Sequence, residues 1–184
     1  MPSEKFIIPE CFVEIWGGIQ MILETERLIV REFTDEDIDL IYDINNNVEC
    51  IKFNGWDSMS YERCQEEIRK WIEKYSFNPG TGAFCVESKT GKVKIGMAFI
   101  VSTDKVGEYE VGFRLSRIHW DKGYAKEITK GFIEYSKNNL KASAVIAEVY
   151  KANIRSRKVF ENLNFSRFQH PHGEDGLVYR YNIK

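Results

Sequence analysis

Three strand-forming runs stand back to back in the middle of this chain, at residues 83–88, 93–102 and 108–115. The first two are joined by Lys89-Thr90-Gly91, a connection so short that they must pair antiparallel as a hairpin. On either side the hydrophobic period lengthens from two to that of a helix. Residues 27–33 (RLIVREF) are β-rich, and Thr34 then offers an N-cap with Asp37 three residues on. Ile38, Ile41 and Ile44 share one helical face until Asn45-Asn46-Asn47 ends the run. Ser60 caps a second helix that aligns Cys64, Ile68, Trp71, Ile72 and Tyr75, and residues 78–82 (NPGTG) break it. After the three strands come a helix at 123–139, an interior-strand run at 144–150, a helix capped by Asn153 and a last strand at 177–183. The order β-α-α-β-β-β-α-β-α-β predicts an α+β fold, with a central mixed, mostly antiparallel sheet flanked by about four helices.

Composition narrows the class. A chain of 184 residues, 43% hydrophobic and 29% charged, is expected to form one domain with a sizeable core rather than a disordered chain. No stretch approaches the roughly 18–20 unbroken apolar residues of a membrane-spanning helix. A net charge of −2 weighs against a dedicated nucleic-acid binder. Cys11, Cys50, Cys64 and Cys85 form no CxxC pair and none stands near a histidine at ligand spacing, so no metal site is expected. The expected setting is reduced and cytoplasmic. Residues 1–20 lack a clear period and do not read as a secretory signal. They are expected to be an N-terminal extension, leaving 21–184 as the single domain.

Charge is unevenly spread. Residues 24–87 carry 15 acids and 7 bases, a net of −8, whereas 120–160 carry 9 bases and 4 acids, a net of +5. Such a split suits an anionic ligand on the C-terminal half and a cationic one near the N-terminal half. Within the basic half the most informative stretch is 108–127, EYEVGFRLSRIHWDKGYAKE. A strand is followed by a short basic connection and then by small residues opening an amphipathic helix. The unpaired N–H groups and dipole of a helix start attract phosphate, Gly123 and Ala125 allow close approach, and Lys122 and Lys126 add charge.

The sequence resembles the GNAT superfamily of acetyl-CoA-dependent N-acetyltransferases, especially the branch containing ribosomal-protein N-terminal acetyltransferases. The matching pieces run in order from residue 22 to 184: ETERLIVR at 24–31, Gly96, EVGF at 110–113, WDKGYAKE at 120–127, NIRS at 153–156 and FENLNF at 160–165. The resemblance implies that the strand before the glycine loop splays from the next one and that pantetheine inserts between them. The backbone of Phe113, Arg114 and Leu115 would then meet the pantetheine amides. Trp120, Lys122, Gly123, Tyr124, Ala125 and Lys126 would hold the pyrophosphate, and Asn153 the pantetheine arm. Two positions depart from the branch's usual glycines. Asp121 places a negative charge near the pyrophosphate unless it points outward or pairs with a lysine, and Asn164 is a residue that tolerates the left-handed conformation of a helix end.

Acetyl transfer to an amine needs a neutral nucleophile and a proton for the leaving thiolate. With reference pKa values near 7.7–8.0 for an α-amine and 10.4 for lysine, a base helps both. By resemblance, Glu110 is the candidate base through a water, and Ser156 the partner of the departing sulfur, where it would also touch the cofactor. Tyr150 and Tyr124 are alternative acids. The three histidines, His119, His170 and His172, form no triad with an obvious serine and acid. The loop Asn54-Gly55-Trp56 and Phe53 would wall the acceptor site. The resemblance implies acetyl-CoA as co-substrate, no metal, and an amine acceptor that is a protein N-terminus or a small molecule. Nucleic acid and membrane are not expected partners, and a homodimer is the default assembly. The alternative reading is a non-catalytic acyl-CoA-binding or regulatory protein on the same fold.

Overall fold

The computed structural model describes residues 15–16, 19–53, 57–171 and 173–184. Cys11, the Asn54-Gly55-Trp56 loop, His172 and most of the expected 1–20 extension lie outside the described residues. The chain runs β1 (Ile15–Trp16), β2 (Ile19–Glu24), β3 (Leu28–Arg31), α1 (Ile38–Asn45), α2 (Val48–Ile51) and α3 (Tyr61–Tyr75). It continues with β4 (Gly82–Ser88), β5 (Lys94–Ser102), β6 (Glu108–Leu115), α4 (Tyr124–Asn138) and β7 (Ala144–Tyr150). It closes with α5 (Ile154–Glu161), β8 (Ser166–Gln169) and β9 (Gly176–Asn182).

Among the described residues the strands form one sheet in the order β1-β2-β3-β4-β5-β6-β7-β9-β8. Every neighbouring pair is antiparallel except β6 and β7, which are parallel. This is the expected mixed, mostly antiparallel sheet with helices on both faces. β4 and β5 form the hairpin around Lys89-Thr90-Gly91, with Phe84 opposite Ala98 and Cys85 opposite Met97. The parallel pair arises because the chain leaves β6, crosses through α4 and returns alongside as β7, a connection only a helix-length crossover allows.

Alternation along the strands sorts the core into two layers. Phe84, Val86, Ala98 and Ile100 face α4, whose Ile128 and Phe132 are fully buried against them. Ala83, Cys85 and Met97 face the other way, onto Ile41, Ile44, Cys64 and Ile68 of α1 and α3. Burial on both faces is why β4 and β5 read as nearly unbroken apolar runs.

The expected caps form. The Ser60 hydroxyl accepts from Arg63 N–H at 3.3 Å, and the Asn153 side-chain oxygen accepts from Ser156 N–H at 3.2 Å. The Asp37 carboxylate accepts from Thr34 N–H at 2.9 Å. Asn164 adopts φ 61°, the left-handed state foreseen for it, and Asp121 adopts φ 60°. Four elements go beyond the sequence reading: β1 and β2, of which β2 begins within the expected extension and pairs with β3, and then α2 and β8. Asn47, which ends the first helical run, also caps the one-turn helix α2 through its side chain. β8 is an edge strand exposed along its whole length, with Phe168 its sole large apolar residue, so alternation gives no signal for it.

Candidate active site

The register of β6 against its two neighbours builds the site. β6 pairs with β5 over its full length, from Ser102↔Tyr109 to Gly96↔Leu115. Against β7 it pairs only at Glu108↔Ala144, Tyr109↔Val145 and Glu110↔Ile146. Beyond Glu110 the two strands part, and β7 continues to Tyr150 against β9 alone. The edge of β6 from Val111 onward, turned toward β7, therefore has no ladder partner there, and backbone N–H and C=O groups without one are strong ligand sites.

A cavity of about 470 Å³ opens where the strands part. Its walls come from both faces of the sheet. On the α5 side are Phe113, Asn153, Ser156 and Phe160, with the Phe113 and Phe160 rings stacked at 6.0 Å. On the α1–α2 side are Phe53, Phe99, Arg114, Glu148, Tyr150 and His170. Gly112 is required here: a Cβ at that position would lie 2.2 Å from the Phe99 ring, which covers the strand. Tyr150 faces Phe53 at 6.4 Å between ring centres. Arg114 reaches away from the α5 side and donates to the Asn45 side-chain oxygen at 2.8 Å, and burial lowers its guanidinium.

Of the residues singled out in the sequence, Phe113, Arg114, Tyr150, Asn153 and Ser156 thus meet in one cavity. Glu110 stands one step back along β6, outside the cavity lining, and its carboxyl is raised first by burial and then by the charge of Glu148, with His170 opposing. Leu115 is buried, and its carbonyl accepts from the Trp120 indole N–H at 2.8 Å and from the Cys50 thiol at 3.5 Å. The Trp120 ring is therefore committed to closing the loop, flanked by Arg117 at 4.8 Å and Arg155 at 5.2 Å.

The loop itself has the geometry of an anion site. Gly123 sits at φ +81°, a conformation that favours glycine, and acts as the α4 N-cap. The first bond of the helix is Glu127 N–H to the Gly123 carbonyl at 3.1 Å, so the N–H groups of Tyr124, Ala125 and Lys126 have no acceptor within it. Arg27 fixes this start from the β2–β3 turn: it donates to the Lys122 carbonyl at 3.0 Å and lies 4.6 Å from the Tyr124 ring. Glu127 in turn accepts from Thr25 Oγ1 at 2.6 Å, Arg27 N–H at 2.8 Å and Arg27 Nε at 2.7 Å. Asp121 points outward, mostly exposed and 3.7 Å from Arg155, so its charge turns to an arginine rather than to Lys122 or Lys126. Under the loop, burial and then the charge of Lys122 lower the His119 imidazole, and its Nδ1 has no hydrogen-bond partner among the described residues. These donors and this cation-rich surround fit a diphosphate. Gly123, Lys126, Arg27 and Glu127 also border a second, wider groove of about 930 Å³ between the β2–β3 turn and α4. That groove does not reach the parted strands.

Sequence reasoning missed Glu148 and its contact with His170, whose Nε2 lies 3.2 Å from Glu148 Oε2. The two are 22 positions apart and meet only because β7 and β8 both pair with β9. A register, not a motif, joins them. Among the described residues no cluster of three or more His, Cys, Asp or Glu side chains could hold a metal ion, and no helix is long and apolar enough to cross a membrane.

Comparison with known proteins agrees with this geometry. Residues 27–166 match the family model described as an acetyltransferase (GNAT) domain. The uncharacterised N-acetyltransferase YoaA of Bacillus subtilis is 28% identical over 148 residues, covering 79% of this chain and 83% of that protein. Solved structures that share the fold include the following two. An acetyltransferase of the GNAT family from Bacillus anthracis superposes with a TM-score of 0.75 at 21% identity, over 87% of this chain and 97% of that one. RimL, a ribosomal L7/L12 α-N-protein acetyltransferase in complex with coenzyme A, superposes with a TM-score of 0.72 at 11% identity, over 89% and 98%. With the parted strands, the N-capped loop and a family match across most of its length, this chain belongs to the GNAT acetyltransferase family.

Proposed function

We propose that the protein transfers an acetyl group from acetyl-CoA directly to a primary amine, with both substrates bound at once. The observation that carries this is the cavity at the parting of β6 and β7, because it is walled from both faces of the sheet. Pantetheine entering along β6 from the α4–α5 side would bring its thioester to the place an acceptor reaches from the α1–α2 side. Holding the two reactants there supplies much of the rate by itself.

The chain's groups then divide the remaining work. Backbone N–H groups from Gly123 to Lys126 hold the diphosphate. The β6 edge that β7 leaves open around Phe113, with Asn153, holds the pantetheine arm, the Leu115 carbonyl at its end being already taken by Trp120 and Cys50. The amine's proton leaves on the α1–α2 side, where Glu148 stands in the lining and Glu110, raised by burial and by Glu148, stands behind it. Tyr150 and Ser156, both in the lining, are the candidates to give the thiolate a proton or a hydrogen bond. Acid–base assistance of this kind contributes about 10²–10⁴-fold.

The test is release of free thiol from acetyl-CoA with a panel comprising 1,4-diaminobutane, benzylamine and a short peptide with a free N-terminus, with the product checked for one added acetyl group. Turnover with at least one amine is expected. Tight acetyl-CoA binding with no amine acetylated would contradict the reading.

A further inference from the structure

We propose that Glu148 and His170 together take the proton from the acceptor amine, and that Glu110 acts on the reaction through this pair. The inference rests on the acetyl-transfer reading and deepens it. Three features of the site lead here. Glu148 and His170 line the cavity on the acceptor side, whereas Glu110 does not. Glu148 also stands two residues beyond Ile146, the residue paired with Glu110, so the period of two puts both carboxylates on the same face of the sheet. Finally, the pair is graded toward water: the Glu148 side chain is 49% exposed and that of His170 20%. A proton taken in the cavity can leave through the exposed Glu148 carboxylate, whereas Glu110 stands half-buried behind the lining.

The local backbone holds the pair in place. His170 follows β8, and its N–H donates to the Gly176 carbonyl at 3.3 Å across the β8–β9 turn. Gly176, opposite Tyr150 on β7, leaves the space the imidazole uses: a Cβ there would lie 2.8 Å from the His170 Cβ. An ordinary residue at 176 would push His170 away from Glu148.

The proton count closes. The arriving ammonium gives one proton to the pair and becomes the free amine. Its lone pair forms the C–N bond as the C–S bond of the thioester breaks. The proton left on the new amide nitrogen passes to the departing thiolate, and the pair releases its own proton to water. Other charged or titratable groups share the cavity or its face of the sheet: Arg114 on β6, Tyr150 on β7, and Glu174 and Asp175 in the β8–β9 turn line the cavity; Glu110 on β6 stands behind it; Arg180 on β9, opposite Ile146, turns to Glu108; and Lys52 lies over the Phe53 ring. Glu110 couples to both members, and a negative charge behind a base strengthens that base's hold on a proton.

The experiment compares kcat/KM against pH for the wild type, Glu148→Gln, His170→Asn and Glu110→Gln, using acetyl-CoA and an amine from the panel above. Coenzyme A titration and thermal melting establish that each variant is folded and binds. Glu148→Gln retains a hydrogen-bond acceptor for His170 but is no base, and kcat/KM is expected to fall about 10²–10³-fold. His170→Asn is expected to lose about tenfold. Glu110→Gln is expected to keep most of its plateau rate while the acid limb of its profile moves to lower pH. Wild-type profiles for Glu148→Gln and His170→Asn would overturn the assignment, as would a Glu110→Gln variant inactive at every pH beside an active Glu148→Gln. A wild type that binds acetyl-CoA but acetylates no amine would overturn the acetyl-transfer reading as well, so the two failures are distinguishable.

Discussion

Asp37 is fully buried and nonetheless charged. Burial pushes its carboxyl up, but the Arg31 fork at 2.8 and 3.0 Å, Thr34 N–H at 2.9 Å and Lys94 at 3.0 Å outweigh that and hold it at about 2, against an ordinary 3.8. A carboxyl depressed on folding stabilises the fold above its unfolded value, and that stability drains away as pH falls from about 3.8 through 2. Asp37→Asn strands Arg31 and Lys94 beside an uncharged group and is expected to lose about 3–5 kcal/mol at neutral pH. Urea melts should show the gap between wild type and variant narrowing between pH 4 and pH 2, and a gap independent of pH would contradict the account. At the cofactor loop, Gly123→Asp forces a side chain onto φ +81° with its Cβ 3.4 Å from the Arg27 guanidinium, and sets an anion where the diphosphate should lie. The left-handed strain is about 1–2 kcal/mol, small enough for the fold to survive. Affinity for coenzyme A is expected to fall at least about 100-fold by calorimetry. An unchanged Kd would remove the loop from the site.

Among the elements, α4 carries the clearest division between what sequence shows and what only folding supplies. Its span, its buried face of Ile128 and Phe132, and its Gly123 start follow from composition and period. Its anchoring does not: Glu127 meets Thr25 and Arg27 across about a hundred positions of chain. Those three residues all fell within family-like motifs, yet no spacing rule connects them. Glu127→Gln should weaken this clamp, lowering stability by about 1–2 kcal/mol given that Arg27 is partly exposed. Coenzyme A affinity should fall severalfold with it, because Arg27 would no longer be steered to the Lys122 carbonyl. A lower melting temperature with unchanged affinity would make the clamp purely structural. β8 illustrates the reverse case, an element whose residues carry little preference of their own and which exists because β9 offers it an edge.

Across the whole molecule, local signals and long-range register contributed different things. The central element order was legible because α3 and α4 each bury one face with a helical period and β4 and β5, buried on both faces, read as short apolar runs around a tight turn. Phe113, Asn153 and Ser156, each singled out within a family-like motif, line one cavity because β6 and β7 part and α5 follows directly on β7. The Glu148–His170 contact was not legible, since it depends on the β7–β9–β8 order. On this reading the parted strands and the α4 start bind the cofactor together. Amide hydrogen exchange read residue by residue, with and without coenzyme A, tests it most directly. New protection is expected at residues 111–115 and 123–126, with little change along β4. Protection confined to the groove between the β2–β3 turn and the middle of α4, with residues 111–115 unaffected, would contradict it.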